Sequence, residues 1–207
     1  NVKFGDYDNI VQDSKKYQDS NSVIIFWELC NIIDGLQYKI ELMNNNQLNE
    51  LLEKTKIEID LVMKNLEKTS LVLMNKFTSL SFSYSKIRKN NLDELASHIN
   101  HYLEENLSEN VRLVDIEKVI GSVGFTNSLD MRFFYSSKAL YTIDFFKVYA
   151  QFVKPIFMSA TGKVKKALIF DCDNTLWKGI LGEDGFDNIE MSNLTNIMSL
   201  NEEGLNA

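Results

Sequence analysis

Proline is almost absent from this chain: Pro155 stands alone among 207 residues. Because proline cannot donate within a helix interior, the sequence predicts a break or a fresh helix start at that point. Cysteine is nearly as scarce, and Cys30 and Cys172 lie too far apart for a metal-type spacing. Two thiols without a disulfide framework fit a reducing compartment, and the cytoplasm is the expected location. No apolar run reaches the length of about eighteen residues that a membrane-spanning helix requires, so no membrane partner is expected. The N-terminus also lacks the basic-then-apolar build of a signal peptide. A basic patch is missing too, and with a net charge of -7 a nucleic-acid partner is not expected. No internal repeat is present, and Asn44 to Asn46 and Ser79 to Ser85 read as polar loops.

What remains is 44% hydrophobic and 25% charged, an ordinary globular composition. The length suits one domain or two small ones, with a core that needs no disulfide staples. Val2 to Phe4 reads as a short strand, and Ser22 to Leu29 as a stronger one, β-branched and aromatic. Leu48, Leu51, Leu52, Ile59, Val62 and Leu66 recur at helical spacing between Gln47 and Leu66. Ser70 to Asn75 and Asn110 to Asp115 are further strands. Between them Asn91 and Glu94 form a capping-box-like start for a helix striped by Leu92, Leu95, Ala96, Ile99 and Leu103. Ala139 to Phe152 is apolar nearly all round, which predicts a helix buried on several sides. Strands alternating with helices argue an α/β layered fold with a mainly parallel sheet. A short basic connector, Thr161 to Lys166, divides the chain into an α/β domain, residues 1–160, and the opening of a second, residues 161–207.

The strongest chemical signal sits in that second part. The apolar run Ala167 to Phe170 delivers Asp171 and Asp173 to the end of a predicted strand, with Thr175 two positions on. Residues i and i+2 of a strand share a face, so both carboxyls point into one crevice. Open parallel sheets bind ligands at that edge. Two carboxylates there can hold a hard cation through oxygen ligands, or divide the roles of nucleophile and proton shuttle. Asp184-Gly185 further on is a short-range hairpin signal.

Phe170-Asp171-Cys172-Asp173-Asn174-Thr175-Leu176 resembles the first motif of the haloacid dehalogenase superfamily. The longer string from Asp173 through Trp177 to the Gly182-Glu183-Asp184-Gly185 segment is similar to its FkbH-like branch. The resemblance implies a Rossmannoid domain with Asp171 as nucleophile, forming an aspartyl-phosphate that water hydrolyses. Asp173 then protonates the leaving oxygen and later activates that water. Backbone N–H groups around Cys172 to Asn174 would meet phosphate oxygens, and Thr175 would hold the loop. Mg²⁺ would rest on Asp171 and the main-chain carbonyl of Asp173. A small phosphorylated metabolite is the implied partner. The superfamily's later Ser/Thr, Lys and acidic pair do not follow before Ala207, and the chain starts on Asn1, so both ends are expected to be cut and this stretch to be inactive by itself.

Two other readings stay open. Some FkbH-like proteins pass a glyceryl group from an acyl phosphate to an acyl-carrier protein, and Cys172 could carry it as a thioester. Otherwise Cys172 faces the core. The chain could also be a non-catalytic interaction module. The part before the motif is similar to SGNH hydrolases, which implies a three-layer, doubly wound, flavodoxin-like sheet. Gly5-Asp6-Tyr7 only mimics their Gly-Asp-Ser block, and Phe133 stands where Asp130-Met131-Arg132 would lead to a His. A catalytically silent domain is expected. Asn31 is a weak oxyanion candidate. His98 and His101 share a helix without a third ligand and are expected to be exposed, and Trp27-Glu28 could line a pocket or pack a core.

Overall fold

A computed structural model describes residues 2–6, 8–82, 90–162, 178 and 180–185. The chain divides into two compact units, Asn1–Lys163 and Val164–Ala207. The first is built on three parallel strands, β1 (Ser22–Ile25), β2 (Leu71–Asn75) and β3 (Val111–Val114), in that spatial order. Val23 stands opposite Val72, and Met74 opposite Leu113. All five residues of β2 are buried. A central parallel strand covered on both faces reads as a continuous apolar run, which is why Leu71 to Met74 shows no alternation.

Helix α1 (Ile10–Lys16) precedes β1. After β1 come a 3₁₀ turn (Leu29–Asn31), α2 (Leu36–Lys39) and α3 (Asn45–Asn65), and α4 (Asn91–Glu105) links β2 to β3. Alternation along β2 turns Val72 and Met74 to one face. There they join Leu51, Ile59 and Val62 of α3 and Leu95, Ile99 and Leu103 of α4 in one core. After β3 the chain continues through α5 (Ile116–Val123), α6 (Phe125–Ser128), α7 (Met131–Ser137) and α8 (Ile143–Ala160). These cover the opposite face, where Leu71, Leu73 and Val114 meet Ile120, Phe134, Phe145 and Tyr149. The first unit is therefore an α/β fold with helices on both faces of a parallel sheet.

Local chemistry sets the helix ends. Asn44 Oδ1 accepts from the Gln47 N–H at 3.0 Å, while the Gln47 side chain accepts from the Asn44 N–H, a reciprocal cap for α3. The equivalent box on α4 lies one residue earlier than the sequence suggested, between Asn90 and Asp93. Aspartate supplies the returning carboxylate as well as glutamate would. Gly124 joins α5 to α6 at φ +89°, a conformation that other residues rarely adopt.

Further expectations for the first unit need correction. Val2 and Phe4 form no strand and are 78% and 84% exposed. The strand predicted over Ser22 to Leu29 ends at Ile25, because the chain bends into the 3₁₀ turn that buries Leu29. Helix α8 runs through Pro155 without ending. Proline removes a hydrogen bond to the carbonyl four residues back, and here both Pro155 and Gln151 are exposed, where water replaces the donor. The same helix is buried on one side only, through Phe145, Tyr149 and Val153, while Ile143, Phe146 and Phe152 are exposed.

In the second unit, Leu181–Asp184 forms a single helical turn, α9, and Gly185 follows at φ +74°. At Asp184-Gly185 only the glycine takes positive φ, as a residue just past a helix end commonly does. A two-residue Asp-Gly hairpin turn needs both, and the residues after Gly185 lie outside the described ones. No helix among the described residues is long and apolar enough to cross a membrane.

Candidate functional site

At the carboxyl ends of β1 and β2 lie two buried polar residues, Glu28 and Asn75. Asn75, the last residue of β2, is completely buried. Its Oδ1 accepts from the Trp27 N–H at 2.6 Å, and its Nδ2 donates to the Trp27 carbonyl at 2.8 Å. The amide thus copies a backbone pair and holds the chain beyond β1 against β2 where the ladder stops. Nδ2 also lies 3.1 Å from the Lys76 carbonyl and 3.4 Å from Glu28 Oε1.

Glu28 is buried at the start of the 3₁₀ turn, and the Tyr141 hydroxyl donates to its Oε1 at 3.0 Å. An antiparallel bridge between Leu129 and Tyr141 sets that tyrosine in place. Burial raises the Glu28 pKa from 4.5 to about 8, against a smaller lowering from the Tyr141 hydrogen bond. Glu28 is therefore mostly a neutral acid at pH 7. Burial, reinforced by Glu28, pushes the Cys30 thiol up to about 12, which leaves it unreactive. The Tyr141 hydroxyl is also raised, by burial first and Glu28 second.

The raised Glu28 pKa makes stability pH-dependent. Its contribution is fully present below the unfolded value near 4.5 and is lost as pH rises through about 8. Between these values the unfolded chain ionises and the folded one does not, so stability falls by about 1.4 kcal/mol per pH unit. Glu28→Gln keeps the shape and an acceptor for Tyr141. It should be close to neutral at pH 5 and stabilising at pH 8, read from urea midpoints at both pH values. Wild-type and variant curves that stay parallel would remove Glu28 as the titrating group.

Beside this network lies a cavity of about 360 Å³, with walls from each segment that follows a strand. Gln37 and Tyr38 come from α2, Ser81 and Phe82 from the loop after β2, and Tyr135 from α7. Asn100 of α4 clamps the start of the β2 loop by accepting from the Phe77 N–H and donating to the Phe77 carbonyl, each at 2.8 Å. The Tyr38 hydroxyl donates to that of Tyr135 at 2.5 Å and ties two walls together.

Residues Asp171, Cys172, Asp173, Asn174 and Thr175 lie outside the described residues, as does Tyr7. Of the other candidates, Asp130 caps α7 by accepting from the N–H groups of Arg132 and Phe133, and Phe133 is exposed. Asn31 is engaged structurally: its Oδ1 accepts from the Glu28 N–H at 3.3 Å and its Nδ2 donates to Asp8 at 2.6 Å. His98 and His101 are exposed, and His101 lies 3.2 Å from Glu105. Among the described residues no group of three or more His, Cys, Asp or Glu could hold a metal. Trp27 belongs to the core and packs near Phe77. Sequence reasoning passed over Asn75 and Tyr141. The one signal was a polar residue closing the apolar run of β2.

No family model and no curated protein matches the chain. Among solved structures it is similar to the N-terminal part of a Bacteroides fragilis protein, which contains a phosphatase domain and is complexed with Mg. That likeness shows the fold. The TM-score is 0.55 at 17% identity, over 98% of this chain. The chain spans 58% of the length of that solved chain. The shared architecture is a parallel α/β sheet of the flavodoxin or Rossmann kind.

Proposed function

We propose that this chain is part of a Mg²⁺-dependent phosphatase of the haloacid dehalogenase type, acting on a small phosphate ester or acyl phosphate. The observation that carries the reading is the string Asp171-Cys172-Asp173-Asn174-Thr175 after an apolar run. The likeness to a protein with a phosphatase domain and Mg supports it. In this reading the Asp171 carboxylate attacks phosphorus as the bond to the leaving oxygen breaks. Asp173 gives that oxygen its proton. The aspartyl-phosphate is then opened by water, whose proton returns to Asp173, releasing phosphate and restoring Asp171. The donor set fits a hard cation, since carboxylate and carbonyl oxygens are what Mg²⁺ prefers. When bound, the cation neutralises charge on the phosphoryl oxygens. Thr175 steadies the loop, and backbone N–H groups around Cys172 to Asn174 meet the phosphate oxygens.

The reading needs residues after Ala207 for the remaining contacts to phosphate and metal. Phosphate release from p-nitrophenyl phosphate, with and without Mg²⁺, is the test. The 207-residue chain is expected to be silent, and a longer form carrying the following strands to turn over only with Mg²⁺. Robust turnover by the 207-residue chain alone would contradict the assignment. The position of Cys172 between the two aspartates favours one second reading, acyl transfer through a thioester to an acyl-carrier protein. An acyl adduct on Cys172 after incubation with an acyl phosphate, seen by mass spectrometry, would replace the phosphatase reading with that one.

A further inference from the structure

The described lining residues of the cavity between α2, the β2 loop and α7 all belong to the first unit. It lies at the carboxyl ends of the strands, where parallel sheets bind ligands. Its volume of about 360 Å³ falls at the small end of ligand sites, about 300–1,000 Å³. The lining combines aromatic rings (Tyr38, Phe82, Phe125, Tyr135) with neutral polar groups, and no charged side chain is among the described lining residues. Gln37, one of the lining residues, carries a buried acceptor with no hydrogen-bond partner, its Oε1. The Ser81 hydroxyl lies against the Tyr141 hydroxyl, within reach to donate to it. An unmet buried acceptor is costly, and the terminal torsion of a glutamine is soft, so its amide can turn to a donor placed in the cavity.

We propose that this cavity binds an uncharged sugar ring, with the ring's apolar face against the aromatic wall and its hydroxyl edge toward Gln37 and Ser81. A charged ligand would find no counter-charge among these residues and would lose its hydration on entry. A neutral polyol ring instead satisfies the unmet acceptor and keeps an apolar face for the rings of the wall. Hydrolysis is not part of the proposal, since the lining holds no His and Cys30 is held in its thiol form.

The test is titration calorimetry of the 207-residue chain with methyl glucoside, methyl galactoside and methyl N-acetylglucosaminide, with glucuronate and glucosamine as charged counterparts. At least one neutral glycoside should bind with a dissociation constant in the millimolar range or tighter, and the charged sugars at least about tenfold more weakly. Gln37→Leu should reduce that affinity about tenfold while leaving the thermal midpoint unchanged or raised, because it removes an unmet polar group. Ser81→Ala, a smaller change, should weaken binding in the same direction. No binding by any neutral glycoside, equal binding by the charged sugars, or full affinity in folded Gln37→Leu and Ser81→Ala would each overturn the proposal.

Discussion

Asp171→Asn, made in a form that extends past Ala207, is expected to abolish Mg²⁺-dependent phosphoryl transfer while the protein stays folded. An amide keeps the shape of the carboxylate but cannot act as the attacking anion, and it weakens the oxygen set for a hard cation. Residues that act as one catalytic unit cost orders of magnitude when any one is removed. Asp173→Asn should follow with a loss of about 10²–10⁴-fold, the usual worth of a positioned acid or base. Phosphate release and the circular dichroism of each variant check both halves of this expectation. Near-parental turnover by folded Asp171→Asn would move the nucleophile elsewhere.

Asn75→Leu carries the largest expected effect on stability. The substitution preserves bulk but removes the acceptor for the Trp27 N–H and the donor to the Trp27 carbonyl. Both backbone groups then lie in the core, and Trp27 is only 3% exposed. Each unmet group costs about 1–3 kcal/mol, so a total loss of about 2–6 kcal/mol is expected. That is a large share of the roughly 5–15 kcal/mol that holds a domain together. Urea denaturation should find the variant largely unfolded or with a much lower midpoint. A loss below about 1 kcal/mol would mean that the end of β1 is held by something else.

How much could be read in the residues themselves depended on how local each feature is. Helix α4 was legible because Leu92, Leu95, Ala96, Ile99 and Leu103 all face one core and repeat with the helix period. Strand β2 was legible because burial on both faces leaves an unbroken apolar run. The aspartates of the motif lie two residues apart, a spacing visible without a fold, and they lie outside the described residues. The polar network could not be read this way. Asn75 meets Trp27 across 48 residues, and Tyr141 meets Glu28 across 113. Only the parallel pairing of β1 with β2, and the return of the chain over the other face, bring them together. Pro155 misled for a different reason. Its cost depends on what surrounds the orphaned carbonyl, and exposure at Gln151 cannot be seen in sequence.

The central claim is that Asp171 receives a phosphoryl group. The most direct measurement is rapid acid quenching of a form extending past Ala207 during turnover of acetyl phosphate with Mg²⁺, followed by peptide mass spectrometry. The account predicts a phosphoryl adduct on the peptide containing Asp171, absent without Mg²⁺ and absent in Asp171→Asn. Turnover that leaves this peptide unmodified, with the adduct on another residue, would contradict it.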